Sequence, residues 1–391
     1  MNNNISKEVK ILSIAFLFIF LGFNGVQQYL TAYFSEIKLP NVGFNSLVLI
    51  YLFFLIFEPL SAIIISKYGA KKCMILGSLF YFLFIISLLN PSVIITYLTS
   101  ALLGIAASLL WTGQTSYLIR VSEEKSYGAS TGFFSSFQSF GSAIGVFTSG
   151  ILIARFLFKT SFLIFSFFPL LGLLLLLFLR DLKVKEEAKG IKGLGLIKKL
   201  FLSKTALKLS IFGFSLQFIY GLVIGIIPIE INKFISLPFV GFLSSMFYIL
   251  PIISSYFLGR LSDIIGRVKM ISISFYLVIL GLIVLFFSSS TIYLIIGIFL
   301  IALYRSISFP LGLALVGDVA SKENIDFLTA FFWMFTGMGV VSALLISNLF
   351  QSAKIIYLTS IIIILISIKI LTPLLRSGIQ NIKTKIAEEL M

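Results

Sequence analysis

The chain has 391 residues, 59% hydrophobic and only 12% charged, with 30 Lys and Arg against 15 Asp and Glu, a formal charge of +15. A water-soluble domain carries about a quarter charged residues, so a soluble enzyme and a disordered chain are excluded; at about 20 apolar residues per crossing, this length accommodates about twelve membrane spans. With no histidine and a single cysteine, Cys73, there is no Ser-His-Asp or Cys-His catalysis, histidine-ligated zinc, histidine relay or disulfide.

Apolar runs between polar breaks predict twelve spans. In chain order they are Val9–Tyr33, Phe44–Ser66, Cys73–Leu89, Val93–Ile119, Gly128–Ala154, Ser161–Leu179, Leu209–Ile229, Phe239–Leu258, Met270–Ser288, Thr291–Gly317, Phe327–Phe350 and Ile355–Leu374. The first has no small-residue cleavage site after its apolar core and reads as a retained span. Pro59, Pro228, Pro251 and Pro310 lie in or at span ends, where they kink helices or are tolerated as breaks.

Charge sets the orientation. With the N-terminus inside, the inner segments and inner span ends hold 24 of the 30 basic residues, the outer loops hold five, and Arg305 alone falls deep within a span. That asymmetry predicts a multi-pass protein of the cell membrane with both termini cytoplasmic. The basic excess is topology, so no nucleic-acid partner is expected. The longest connection separates residues 1–180 from 209–375, each with six spans. The linker, 181–208, opens as a charged tether; Ile191, Leu194, Ile197, Leu200 and Phe201 then alternate with lysines, as in an amphipathic helix on an anionic leaflet or a solvated linker. The cytoplasmic tail, 376–391, is expected to fray.

After span eight the chain reads Gly259-Arg-Leu-Ser-Asp263-Ile-Ile-Gly266-Arg267-Val-Lys269. Gly259 permits close helix contact and Gly266 a tight turn. Asp263 can accept from backbone N–H groups at a neighbouring helix N-terminus, and Arg267 and Lys269 can pair with carboxylates. The run resembles the loop signature of the major facilitator superfamily, G-x-L-[SA]-D-x-x-G-R-x-[KR]. The resemblance covers the whole chain and implies an all-α membrane protein of twelve transmembrane helices in two pseudo-symmetric six-helix bundles. It also implies that this loop, with Asp318 at the inner end of span ten, is a charged latch that breaks and reforms as the halves rock. The matching first-half loop keeps Gly69, Lys71 and Lys72 but has Ser66 in place of the acid and Ala70 in place of the arginine. Ser100 stands where many proton-coupled members carry an arginine, a departure from their pattern.

A narrower resemblance, to the Unc-ninety-three-like branch, rests on Gly25-Val-Gln27-Gln28-Tyr29-Leu30, on Leu103-Gly-Ile-Ala-Ala107 leading to Leu110-Trp111-Thr-Gly-Gln114 and Tyr117, and on Phe137-Gln138-Ser139. It implies either a transporter or a membrane-protein partner that regulates channels or receptors. In span five, Gly132, Gly141, Gly145 and Gly150 partly match the glycine pattern of drug-efflux antiporters, although Val146 and Ser149 replace a proline and a glycine. Close helix packing accounts for the same glycines.

Polar groups at mid-bilayer are costly and usually face the bundle interior. Asn24, Gln27 and Gln28 fall on one helical face of span one. Trp111, Gln114 and Tyr117 form a patch in span four. Gln138 lies in span five, Gln217 and Tyr220 in span seven, and Tyr304 and Arg305 in span ten. The superfamily resemblance implies that spans one, four, seven and ten line a central cavity, which makes these the candidate substrate-binding residues; helix–helix hydrogen bonding is the other reading of the amides. Arg305 lies about 21 Å into its span, with Glu58 at similar depth in span two. Arg305 is expected to anchor an anionic or carbonyl-bearing substrate, or to pair with Glu58. Glu230 reads as interfacial. The expected function is secondary transport of a small solute by alternating access, with an unspecified coupling ion, no cofactor and no Walker loop for ATP. The alternatives are a non-transporting regulatory partner of another membrane protein and a drug-efflux antiporter; no convergent acid–base or metal set marks an enzyme.

Overall fold

The computed structural model describes residues 5–182, 191–227, 237–288, 290–350 and 352–390. The helices in chain order are α1 (Lys7–Gln27), α2 (Leu30–Glu36), α3 (Pro40–Tyr68), α4 (Ala70–Ser87), α5 (Val93–Arg120), α6 (Tyr127–Leu177), α7 (Ile191–Leu202), α8 (Lys204–Ile224), α9 (Leu237–Ile265), α10 (Arg267–Phe286), α11 (Thr291–Val319), α12 (Ile325–Leu349), α13 (Ala353–Arg376) and α14 (Ile379–Leu390). No strand occurs among the described residues, and eleven helical segments there are long and apolar enough to cross a bilayer. The chain is therefore a multi-pass membrane protein.

Local chemistry explains the punctuation. Ser6 and Ser203 cap α1 and α8, their hydroxyls accepting from Val9 N and Ala206 N. Gly69 and Gly266 occupy the turns between α3 and α4 and between α9 and α10 with nearly the same conformation, φ 89° and 94° with ψ 146° at both. A side chain is strained there, so the two loops that echo each other in sequence make one turn twice.

Three boundaries differ from those expected. The first span breaks after Gln27, and α2 continues as a separate short helix. The loop expected between 154 and 161 is absent: α6 is one helical run interrupted at Leu157, φ 64° and ψ 173°. The tail is not frayed. Ile382, Ile386 and Leu390, one face of α14, are buried, and Lys199 Nζ on α7 donates to the Leu390 carbonyl at 2.7 Å. Residues 183–190 of the tether, Pro228 and Glu230 lie outside the described residues.

Polarity is inverted relative to a soluble protein. Ile94, Tyr276 and Leu349 are exposed by 78%, 74% and 75%, whereas Glu58, Thr112 and Gln114 are fully buried. Lipid as the outer solvent accounts for both observations. Residues 65–72, 117–127 and 317–326 share one end of the helices with Asp181, Leu196 on α7 and Lys383 on α14; this is the linker end. Close backbone approach sets the packing of α6. Its Gly141 and Gly145 lie against the carbonyls of Leu17 and Leu21 on α1, and Gly132 lies against that of Ser255 on α9, so helix packing fully employs three of the four glycines of the efflux-like pattern.

Candidate functional site

Between the helices lies a central cavity of about 80 Å³. That is room for a few waters and below the several hundred Å³ of a drug-sized pocket. α1, α5, α8 and α11 all reach it, and α3, α4, α6, α9 and α12 complete the wall. Of the candidate binding residues, Asn24, Gln27, Trp111, Gln138, Gln217, Tyr220 and Arg305 line it.

Polar and aromatic groups divide the wall. Asn24 Nδ2 and Gln138 Nε2 both donate to Ser142 Oγ, at 2.7 and 3.1 Å, and Gln27 Nε2 donates to Tyr51 OH at 3.1 Å. The Tyr220 and Tyr248 hydroxyls are 3.3 Å apart. Trp111 and Trp333 pack with ring centroids 4.9 Å apart, edged by Phe309 and Phe54. The amide groups hold α1 to α6 and α3 and still face the cavity.

Arg305 is 5% exposed. Its guanidinium lies over four rings, Phe247, Phe309, Tyr220 and Tyr248, at 4.7, 5.0, 5.3 and 5.7 Å. Among the described residues no carboxylate pairs with it, and its Nε has no hydrogen-bond partner. A ring attracts such a cation by about 0.5–2 kcal/mol, but an unpaired buried charge costs several kcal/mol. A ring face also offers no lone pair to the five guanidinium donors. The aromatic box therefore leaves Arg305 demanding an acceptor.

The remaining candidates lie outside the cavity lining. Glu58 does not pair with Arg305: its Oε2 accepts from Thr112 Oγ1 at 2.6 Å and Ser61 Oγ at 3.2 Å, behind the wall. Tyr117 donates to Glu8 Oε2 at 2.8 Å and to the Arg180 carbonyl at 3.0 Å, near the linker end. Gln114 is buried beside Thr115, whose hydroxyl donates to Gln114 Oε1. Tyr304 is buried beside Ser308, away from the cavity lining, and Gln28 is partly buried where α1 ends. Sequence reading missed Tyr51, Tyr248 and Trp333 on the wall; Trp333, one of only two tryptophans, carried a visible signal.

At the linker end, Asp263 Oδ1 and Oδ2 accept from Gly128 N and Ala129 N, at 2.9 and 2.8 Å, at the start of α6. Arg267 Nη1 lies 2.7 Å from Asp263 Oδ1, and Arg267 Nε donates to Asp318 Oδ2 at 2.7 Å. Gly259 lets its helix approach Gly128 closely; Lys269 is exposed. A second ion pair, Arg120 with Asp326, joins α5 to α12. A wider opening of about 1130 Å³ at this end is lined by Lys71, Lys72, Arg120, Asp326 and Lys383 among others.

Comparison with known proteins agrees with this architecture. The sequence matches the family model described as Major Facilitator Superfamily over residues 11–232 and 209–387. It is 30% identical to UNC93-like protein 3 of Arabidopsis thaliana over 220 residues, 50% of this chain and 45% of that protein. It is 29% identical to UNC93-like protein MFSD11 of Xenopus laevis over 141 residues, 35% of this chain and 32% of that protein. The matches thus span less than half the length of these curated relatives. The crystal structure of the human organic anion transporter MFSD10 (TETRAN) superposes with a TM-score of 0.76 at 13% identity, covering 94% of this chain and 100% of that one, a likeness of fold.

Proposed function

The chain belongs to the major facilitator superfamily, and from that premise we propose that it is a secondary transporter moving a small solute across the cell membrane by alternating access. In this reading α6 counts as two spans, divided at Leu157, which gives twelve in two six-helix bundles, 1–180 and 209–375. The linker end is cytoplasmic, as its share of the basic residues favours. The observation that carries the reading is Arg305, a cation with no carboxylate partner among the described residues, in the wall of a central cavity to which both halves contribute. The solute presents a carboxylate or carbonyl to Arg305 and packs its apolar part between Trp111 and Trp333; Asn24, Gln27, Gln138 and Gln217 orient its other polar atoms. Asp263 with Arg267 and Asp318, and Arg120 with Asp326, hold the cytoplasmic end shut, and both sets break when the wide opening there joins the cavity.

The test is flux into proteoliposomes that contain this chain alone, with a panel of small carboxylates and ketones under ion gradients of either sign. Saturable uptake that disappears in Arg305→Ala supports the proposal. No flux for any member, together with stoichiometric co-purification of a second membrane protein, would overturn it in favour of a regulatory partner.

A further inference from the structure

Glu58 is a buried acid that the solute path does not use. It lies in α3 just before Pro59 and is fully buried. Oε2 accepts from the Thr112 hydroxyl at 2.6 Å and lies 3.2 Å from that of Ser61, whose one proton is directed to the Glu58 carbonyl at 2.7 Å; Oε1 has no hydrogen-bond partner. One hydroxyl donor and a shared second one do not replace the hydration of a full negative charge. A neutral carboxyl needs far less: one accepting oxygen, which Thr112 serves, and one O–H.

The described residues around Glu58 supply no counter-charge at ion-pair distance: no Lys or Arg among them lies within 4.0 Å of it. On α5 the nearest charge along the helix is Arg120, about 12 Å beyond Thr112 and bound to Asp326 of α12. At the start of α4, Lys71 pairs with Asp181 and Lys72 is exposed. Lys67 on α3 itself and Lys198 and Lys199 on α7 belong to the linker end; Glu36 on α2 and Tyr51 on α3 lie toward the opposite end.

The position of Glu58 ties it to the meeting of the two halves. Gly337 of α12 abuts Phe54 and Leu55 of α3, and nearer the linker end Ile63 and Phe327 both abut Gly193. This antiparallel register sets Glu58 level with Phe332 and Trp333. Trp333 in turn donates its indole N–H to Thr115 Oγ1 at 3.0 Å and packs on Trp111, the neighbour of Thr112. A parting of α12 from α3 and α5 at the linker end would open this level of α3 to water.

We propose that Glu58 binds one proton while the α3–α5–α12 seam is closed and releases it when the seam opens. The step balances: on opening, the carboxyl O–H breaks and the proton passes to entering water, leaving a hydrated carboxylate. On closing, the carboxylate takes a proton back from water before it is buried. Acid therefore favours the closed seam and alkali the open one, by at most tenfold in the ratio per pH unit for a single proton. The site lies in α3 and is unrelated to Ser100, where many proton-coupled relatives carry their arginine.

Two measurements on the full chain in lipid nanodiscs test this, and neither needs the solute. Infrared difference spectra of wild type at neutral pH should contain the C=O band of an un-ionised carboxyl that Glu58→Gln lacks. Spin labels at positions 68 and 322, in a Cys73→Ala background, should report a linker-end distance that lengthens as pH rises in wild type and stays short in Glu58→Gln. If Glu58→Gln fails to fold, Thr112→Val should shift the frequency of the same band by removing its hydrogen-bond donor. An un-ionised band absent from wild type, unchanged in both variants, or a pH response identical in wild type and Glu58→Gln, overturns the proposal.

Discussion

Arg120 and Asp326, 206 residues apart in sequence, meet in a two-pronged ion pair at the linker end: Nη1 and Nη2 donate to Oδ1 and Oδ2 at 2.8 and 2.9 Å. The pair stands beside the degenerate one of the two loops that echo each other in sequence. In the second half, Asp263 reaches from the end of α9 to cap the start of α6. In the first half its counterpart is Ser66, whose hydroxyl donates to the Ile63 carbonyl of its own helix at 2.9 Å. The start of α12 has no acid reaching in from α3; Asp326 in its own first turn supplies the negative charge that a helix N-terminus favours. The degenerate loop after span two is thereby compensated from the other side of the seam.

Removing either partner should therefore loosen the linker end. Arg120 is 29% exposed, which screens the pair, and the expected loss of closed-state bias is about 1 kcal/mol. That is roughly a fivefold gain in the open form. Asp326→Asn and Arg120→Gln should each raise the labelling rate of a cysteine introduced inside the linker-end opening by about that factor. The double exchange, Arg120→Asp with Asp326→Arg, should restore the wild-type rate; equal labelling of all four proteins would show that the pair carries no closing force.

Asp263→Asn is expected to be more severe. The carboxylate takes two backbone N–H groups and Arg267 at side-chain exposures of only 6% and 8%. Asparagine accepts with one oxygen, leaves a buried N–H of α6 unpaired and removes a charge facing a buried arginine. Breaking a buried pair from one side costs about 3–5 kcal/mol. Thermal unfolding in detergent should show a drop for Asp263→Asn several times larger than for Asp326→Asn, since Asp326 caps no neighbouring helix.

Which features were legible in the sequence follows from how local their physics is. The turn at Gly266 and the acid at Asp263 declare themselves because a positive φ and a helix-capping carboxylate are properties of a few adjacent residues. Arg305 declares itself as a charge in an apolar run. Whether a buried polar residue reaches the cavity depends on helix rotation to within about 100°, which separates neighbours on an α-helix. Trp111 therefore lines the wall while Thr112, one residue on, faces away to Glu58, and Tyr117 turns toward Glu8. The Arg120–Asp326 pair needs the register between two distant helices, which no local pattern encodes. α14 was the reverse case: Ile382, Ile386 and Leu390 repeat every fourth residue, but the polar residues between them made the segment look like a loose tail.

Arg305→Met should separate function from stability. Methionine fills similar volume among Phe247, Tyr220, Tyr248 and Phe309 and removes a desolvated charge that the rings only partly offset. Even a buried ion pair can often be replaced by apolar side chains of similar volume with neutral or stabilising effect, and a cation without a carboxylate partner has less to lose. The variant should unfold at a higher temperature than wild type yet lose all carboxylate-induced thermal shift. Arg305→Lys keeps the charge but not the planar fork, so it should bind carboxylates about tenfold more weakly. A destabilised Arg305→Met protein would mean that the guanidinium is a structural member of the box.

The docking of α14 should weaken in acid. Glu389 accepts from Ser203 Oγ, from Thr205 N at 3.2 Å and from Thr205 Oγ1 at 2.8 Å, and so ties the tail to the start of α8. Partial burial pushes this carboxyl up, but the Ser203 and Thr205 donors and the nearby Lys385 charge outweigh it and hold it below the ordinary glutamate value. A group depressed in the folded state contributes stability that is complete above its unfolded value, about 4.3. That stability drains away as pH falls through the lower folded value. Hydrogen exchange at the α14 amides should therefore be slow and flat at neutral pH, once corrected for the intrinsic rate, and should accelerate below about pH 4. Glu389→Gln should show the faster exchange already at pH 7, with the membrane helices unaffected. If α14 stays equally protected in both proteins across this range, then Ile382, Ile386 and Leu390 hold it without help from the carboxylate.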